Sequence, residues 1–503
     1  MNEIRVLRQI ALLLLSSLFV TVTPLLAEEN VIELSGGCTL HDAIIAANTD
    51  TESGACPAGR GADTIRLTAD IRLAGELPPI VSTISIEGEG RAIDALQYTL
   101  GTREDGTTYV KSGRYVFRIL QIKAKGVLTI DKATLKGGYA ERGGALFNQG
   151  VVYVHGSQLT QNSARESGGA IYNSGIMRIH DSQLIDNDAR YMGGAVHNDG
   201  GDLIVVSSAF LDNSARKGTD GGGGLYSSGQ ATITDSRFAE NSAGYGAAIT
   251  NEGDMRIIRS IVEGNEGRYA GTLQNYGWLT IEQSKISNNS GYGGAGIESE
   301  GATSRLVVRN STVSGNKISN SYGGGITAFG TVVLTHVTIV NNEAQRVGGI
   351  YLSERVSGLV VIRNSIVTGN SPFDCTVGLH ENVNSIIGDG SCDAAMSGDP
   401  RLEYVGGRFV PATSSPAIAA GDPLFCMPVD QYGNTRPIDE PCDIGAVEST
   451  ETESPSSLAV EPYPKPTPTV CTLALTSAYT NTCRRNGSAR GSDQACIHIA
   501  DTR

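Results

Sequence analysis

The sequence predicts an all-β fold, a single long parallel β-helix whose N-terminal end is covered by a short helix. Three observations carry the prediction. A glycine-rich motif returns at a near-constant period, apolar residues alternate within each unit, and an asparagine stands near the end of every unit.

Aligned on their glycines, nine segments begin at Gly143, Gly168, Gly193, Gly222, Gly246, Ala270, Gly294, Gly323 and Val347, spaced by 24 to 29 residues. Three positions later comes an aliphatic residue each time: Leu146, Ile171, Val196, Leu225, Ile249, Leu273, Ile297, Ile326 and Ile350. The closing asparagines are Asn162, Asn187, Asn213, Asn241, Asn265, Asn289, Asn316, Asn342 and Asn370. Within a unit the pattern has a period near two, and segments such as ATITDSRFAEN, with Ile233, Ser236 and Phe238, read as short strands broken by turns. A leucine-rich repeat would show its own spacing, and that spacing is missing.

Each unit is therefore read as one coil, with coils stacked at roughly 4.8 Å, the interstrand spacing. Equivalent side chains then stand above one another. The aliphatic set forms an inward stack, and the glycines before it allow a bend or close backbone passage. The asparagines are expected to adopt turn conformations and stack their amides between coils. Two units are longer, through SARKGTDG and the ATSRLV region, and their extra residues should bulge from one edge.

The ends are organised differently. Residues 1–27 read as a signal peptide: Arg5 and Arg8, then IALLLLSSLFV, then Leu25-Leu26-Ala27. Residues 28–62 form the N-terminal cap, where CTLHDAIIAAN has helical spacing and Thr39 with Asp42 approximates a capping box. Residues 63–398 are the β-helix, most regular over 143–370. Residues 399–448 form a loop-rich closing module, 449–470 a Pro-, Ser- and Thr-rich linker, and 471–503 a small Cys-containing tail.

Cysteine usage fits an oxidising compartment. Cys38 with Cys56, Cys375 with Cys392, and Cys426 with Cys442 are local structural disulfide candidates, while Cys471, Cys483 and Cys496 in the tail leave one thiol over. No tight CxxC spacing marks a zinc or redox site. The formal charge of -14 becomes -15 once the signal peptide takes Glu3, Arg5 and Arg8 with it. That acidity excludes a nucleic-acid surface and suits a soluble extracellular chain with no transmembrane span once mature.

Three stretches resemble known families. Cys38-Thr39-Leu40-His41-Asp42-Ala43-Ile44 through Ala47-Asn48 resembles the CSLREA-type motif of secreted bacterial β-helix proteins, with His41 in place of the usual Arg and Asp42 in place of Glu. The coils resemble right-handed parallel β-helix repeats of the pectin-lyase-like superfamily, and GGAIYNSG resembles the repeats of polymorphic outer membrane proteins. SSPAIAAGD, DQYGNTRP and CDIGAVE resemble the choice-of-anchor Q module. The resemblance implies a right-handed helix on a secreted or surface-displayed protein, usually without an assigned activity. No LPxTG-like signal accompanies it.

The expected function is a noncatalytic extracellular or cell-surface scaffold, adhesin-like and monomeric, binding polysaccharide or a surface protein along its length. The alternative is a carbohydrate-active enzyme, a polysaccharide lyase or glycoside hydrolase. Tyr172, Tyr226 and Tyr351 follow the inward aliphatic residue and form a candidate glycan-contact row, interrupted by Thr250, Gln274, Glu298 and Thr327. Asp186, Asp212 and Glu240 form an acidic row before the closing asparagines, read as solvated turn residues. His155 and His180 occupy equivalent positions, with no carboxylate recurring beside both. No catalytic residue, metal or cofactor is assigned.

Overall fold

A computed structural model describes residues 30–449, apart from 103–107, 115–116, 217–220, 293–295, 321, 354–357, 377–378 and 438–439. The signal peptide, nearly all of the linker and the Cys-containing tail lie outside the described residues.

The chain winds into a right-handed parallel β-helix with three parallel sheets. The first and largest takes two short strands from each coil, such as Val151–His155 and Gln158–Thr160. The second is built from three-residue strands at the glycine motif, from Leu120–Ile122 to Ile350–Leu352. The third runs from Tyr139–Arg142 to Lys317–Ile318. Register is one coil to the next throughout, so Leu146 pairs with Ile171, Ile171 with Val196 and Val196 with Leu225. All nine aliphatic residues of that column are buried in one continuous core.

Polar ladders run beside the apolar core. From Asn162 to Asn342, each closing asparagine donates its Nδ2 to Oδ1 of the next at 2.9–3.0 Å. The same Oδ1 accepts a backbone N–H, as from Asn187 to Asn213, and Asp374 ends the series by accepting from Asn370. Every rung satisfies donors that a dry interior would otherwise leave unpaired. The expected turn geometry lies one residue earlier: Asp186, Asp212 and Glu240 carry φ of 54°, 55° and 56°, while the asparagines point inward. Aspartate and asparagine tolerate the left-handed region better than most residues, which accounts for much of the acidic row.

A serine ladder repeats the device at the corner between the two strands of the first sheet. The backbone N–H of Ser157 bonds Oγ of Ser182 at 3.1 Å, and the chain of bonds continues through Ser208, Ser236, Ser260, Ser284 and Ser311. A third ladder links Asn148, Asn173 and Asn198 inside the second sheet.

The helix Leu40–Thr49 seals the first coil, burying Leu40, Ala43, Ile44, Ala46 and Ala47. Thr39 caps it by accepting from Asp42 N at 3.1 Å, and Asn48 Nδ2 ties it to Pro79 O at 2.8 Å. The strand Asn30–Glu33 joins the sheet beside Ala62–Arg66.

The segment after residue 398 lies back along the flank of the preceding coils. Gln431 accepts from Thr312 Oγ1 at 2.6 Å and donates to Ser284 O at 2.9 Å, while Gly445 N bonds Asn364 O at 2.9 Å. Arg436 is buried at its centre, donating to Glu448 and, at 2.8 Å, to Gly445 O. The pairs Cys38–Cys56, Cys375–Cys392 and Cys426–Cys442 are joined as disulfides.

Candidate functional site

Alternation within the three-residue strands sends the residue after the inward aliphatic to the outer face of the second sheet. The resulting column reads Phe147, Tyr172, His197, Tyr226, Thr250, Gln274, Glu298, Thr327 and Tyr351. Its N-terminal part is a closed aromatic stack. Phe147 and Tyr172 lie parallel with centroids 5.1 Å apart, and His197 stands edge-on between Tyr172 and Tyr226 at 5.1 and 4.9 Å. Arg118 covers Phe147, Arg142 covers Tyr172, and Tyr172 donates to Asp199.

Tyr172 and Tyr226 are therefore only 4% and 6% exposed, with Phe147, His197 and Arg142 packed about Tyr172 and His197 against Tyr226. The structure corrects the glycan-contact expectation at these two residues, whose rings offer no open face to a sugar. Burial and the Asp199 charge push the Tyr172 hydroxyl up to about 12. Burial holds His197 down to about 4, so it is neutral near pH 7. Tyr351 is half-buried, with its ring 4.5 Å from Tyr322.

Three exposed tyrosines stand earlier in their units, at the corner leading into this sheet. Tyr269, Tyr292 and Tyr322 are 49%, 56% and 37% exposed, and Tyr245 lies 5.9 Å from Tyr269. Arg268 lies over Tyr269 at 5.3 Å and Arg346 over Tyr322 at 4.7 Å. The sequence did hold a signal for them: Tyr245, Tyr269 and Tyr322 immediately precede the glycine motif of their units, and Tyr292 precedes it by two.

Beside this corner the outer column turns acidic. Glu298 Oε2 accepts from Gly271 N at 3.1 Å, and Gln274 Nε2 donates to Glu300 Oε2 at 2.9 Å. Burial, opposed by the Gly271 bond and aided by the Glu300 charge, pushes the Glu298 carboxyl up to about 7. Burial and Glu300 also raise the Tyr276 hydroxyl. A carboxyl half-protonated near neutrality is chemically equipped for proton transfer. On the opposite edge of the sheet lies a groove of about 350 Å³ lined by Gly201, Asp202, Gly229, Gln230, Gly253 and Asp254.

The remaining candidates separate clearly. Asp186, Asp212 and Glu240 are exposed, and partial burial with the Asp186 charge raises the Asp212 carboxyl. His155 and His180 stack with centroids 5.5 Å apart. A carboxylate stands beside each from a different position of the coil: Asp131 lies 2.6 Å from His155 Nδ1 and Asp181 lies 2.9 Å from His180 Nδ1. Asp131 precedes the regular repeats, which hid its equivalence with His155. His336 sits beside Cys426 and Cys442, but those sulfurs are joined to each other.

Residues 225–392 match the family described as a right handed beta helix region. No curated protein matches the chain. Among solved structures, the complex of XylC with xylose is 8% identical, covers 78% of this chain and 93% of its own, and has a TM-score of 0.39. Pectate lyase Pel9A is 13% identical, covers 80% of this chain and 94% of its own, and has a TM-score of 0.31. No helix among the described residues is long and apolar enough to cross a membrane.

Proposed function

We propose that the protein is a noncatalytic extracellular or cell-surface scaffold that binds polysaccharide along the corner formed by Tyr245, Tyr269, Tyr292 and Tyr322. One observation carries this reading: Tyr269, Tyr292 and Tyr322, exposed at successive coils, line one edge beside the half-buried Tyr245. Tyrosine presents an apolar face and a polar tip at low entropic cost, which suits sugar rings. Three disulfides, the CSLREA-type motif and the choice-of-anchor Q resemblance support placement outside the cytoplasm. The test is a glycan array with the secreted chain, repeated for a Tyr269→Ala/Tyr322→Ala variant. Binding that survives the double substitution, or no binding above background, removes the reading.

A second reading has its own observation. Glu298, pushed up to about 7 beside Glu300, has the character of a general acid for glycosidic or lyase chemistry. It predicts reducing ends or unsaturated products from acidic polysaccharides, lost in Glu298→Gln. Silence across a broad panel, with and without Ca²⁺, favours the scaffold.

A further inference from the structure

Three successive strands of the first sheet end on Asp131, His155 and His180, which stand in register. Ile130, Val154 and Ile179 point into the core, so these three terminal side chains point out. The next residue, Asp181, has φ of 48°, a turn that brings its carboxylate back over the imidazoles. Asp181 Oδ2 lies 2.9 Å from His180 Nδ1 and 3.8 Å from His155 Nε2. Donor atoms bonded to one small divalent ion at about 2.1 Å are separated by about 3.0–3.4 Å, and these two distances bracket that range. One donor atom from each of His155, His180 and Asp181 lies within 4.8 Å of the other two.

A second arrangement points the same way. Asp131 Oδ1 accepts from His155 Nδ1 at 2.6 Å, and Lys132 Nζ holds the other Asp131 oxygen at 3.5 Å. The proton on Nδ1 leaves the lone pair on Nε2, the nitrogen facing Asp181. A carboxylate that fixes the tautomer of a histidine from behind is the usual outer partner of a metal ligand. A simple ion pair between Asp131 and His155 would not require Nε2 to converge with a second imidazole and a second carboxylate. The following coil contributes Val206 in register and then Ser207, so no further charge competes there.

We propose that His155 Nε2, His180 Nδ1 and Asp181 Oδ2 bind one divalent first-row transition ion of the zinc class, with Asp131 as a positioning residue. Two imidazoles and one carboxylate suit such an ion, whereas Ca²⁺ and Mg²⁺ prefer oxygen. The side chains are about half exposed, so water completes the coordination. The bound ion ties two coils together directly and a third through Asp131.

The test is calorimetric titration of the secreted full chain with Zn²⁺, using Ca²⁺ as the contrast and Co²⁺ absorption to read the ligands. Cysteines of the tail could bind zinc independently, so the decisive comparison is with the His155→Ala/His180→Ala double variant. The expected result is one zinc equivalent lost in that variant, with a Co²⁺ d–d band that lacks thiolate charge transfer. Asp131→Asn should weaken zinc binding by about 10–100-fold while leaving the metal-free unfolding midpoint unchanged. Zinc should also raise that midpoint in the parent chain and not in the double variant. Equal zinc binding by parent and double variant, or none by the parent, overturns the proposal.

Discussion

The left-handed corner of the first sheet occurs in coil after coil, yet its two halves meet different surroundings. Upstream the corner carries Lys132, Asp181, Ser207, Asp235 and Arg259, and it faces water. Asp235 and Arg259 pair across one coil at 2.7 Å, and Asp131 with Asp181 brackets the two stacked histidines. Downstream the same corner carries Gln283, Asn310, His336 and Asn364, and the segment following residue 398 lies over it. Asn310 donates to Val429 O at 2.8 Å, and Asn364 both accepts from Asp422 N at 2.8 Å and donates to Asp422 O at 3.1 Å. The same left-handed geometry thus bears mostly charged residues where water solvates them, and amides and one neutral imidazole where backbone groups must be matched. The backbone sets the position, and the partner selects the residue.

The largest expected effect tests whether coverage matters. Arg436→Ala leaves Glu448 buried without its partner and should cost about 3–5 kcal/mol in urea unfolding. Proteolysis should then reach the downstream corner before the upstream coils. Parent-like resistance there would show that the buried amides do not depend on their cover.

Acid gives the next effect. Burial and the Arg436 charge hold His336 down to about 3, against an ordinary value of 6.5. Between those values the unfolded chain takes up a proton that the folded chain refuses, so stability falls as pH drops from about 6.5 towards 3. The contribution is about 4–5 kcal/mol, and His336→Gln should flatten that limb of the stability curve.

Glu298 carries the opposite sign. Its folded carboxyl is pushed up to about 7 from 4.5, so the folded state retains a proton that the unfolded state has lost. Stability falls as pH rises through that window, and Glu298→Gln should add about 3 kcal/mol at pH 8. A variant with unchanged pH dependence would show that solvent reaches the carboxyl freely.

The smallest effect lies upstream. Asp235→Asn breaks an exposed pair with Arg259 and should change stability by less than about 1 kcal/mol. A loss as large as that of Arg436→Ala would erase the distinction between the two halves.

The inner architecture was legible because stacking converts a sequence period into a spatial column. Ile171, Val196 and Leu225 could be assigned to one stack from their spacing alone. The polar ladders were half legible: the asparagines were evident, but the left-handed residue was the one before each of them. The outer surface was least legible. Tyr172 and Tyr226 occupy outward positions and are nevertheless closed over, because His197 stands between them and Phe147 and Arg142 pack against Tyr172. Glu298 looked like an interruption of an aromatic row, and only its surroundings give its carboxyl an altered proton affinity.

The sequence by itself determined the coil, its register, its apolar core and the helical cap. A narrow dry interior admits few residue types, so repetition there is visible in one dimension. Tertiary structure alone decided which outer residues meet. It brought Asp131 to His155 and Asp181 to both imidazoles, and laid Gln431 and Gly445 against coils 81 to 147 residues earlier. Water accepts almost any side chain on that surface, so convergence there depends on loop path and side-chain direction, which the repeat does not encode.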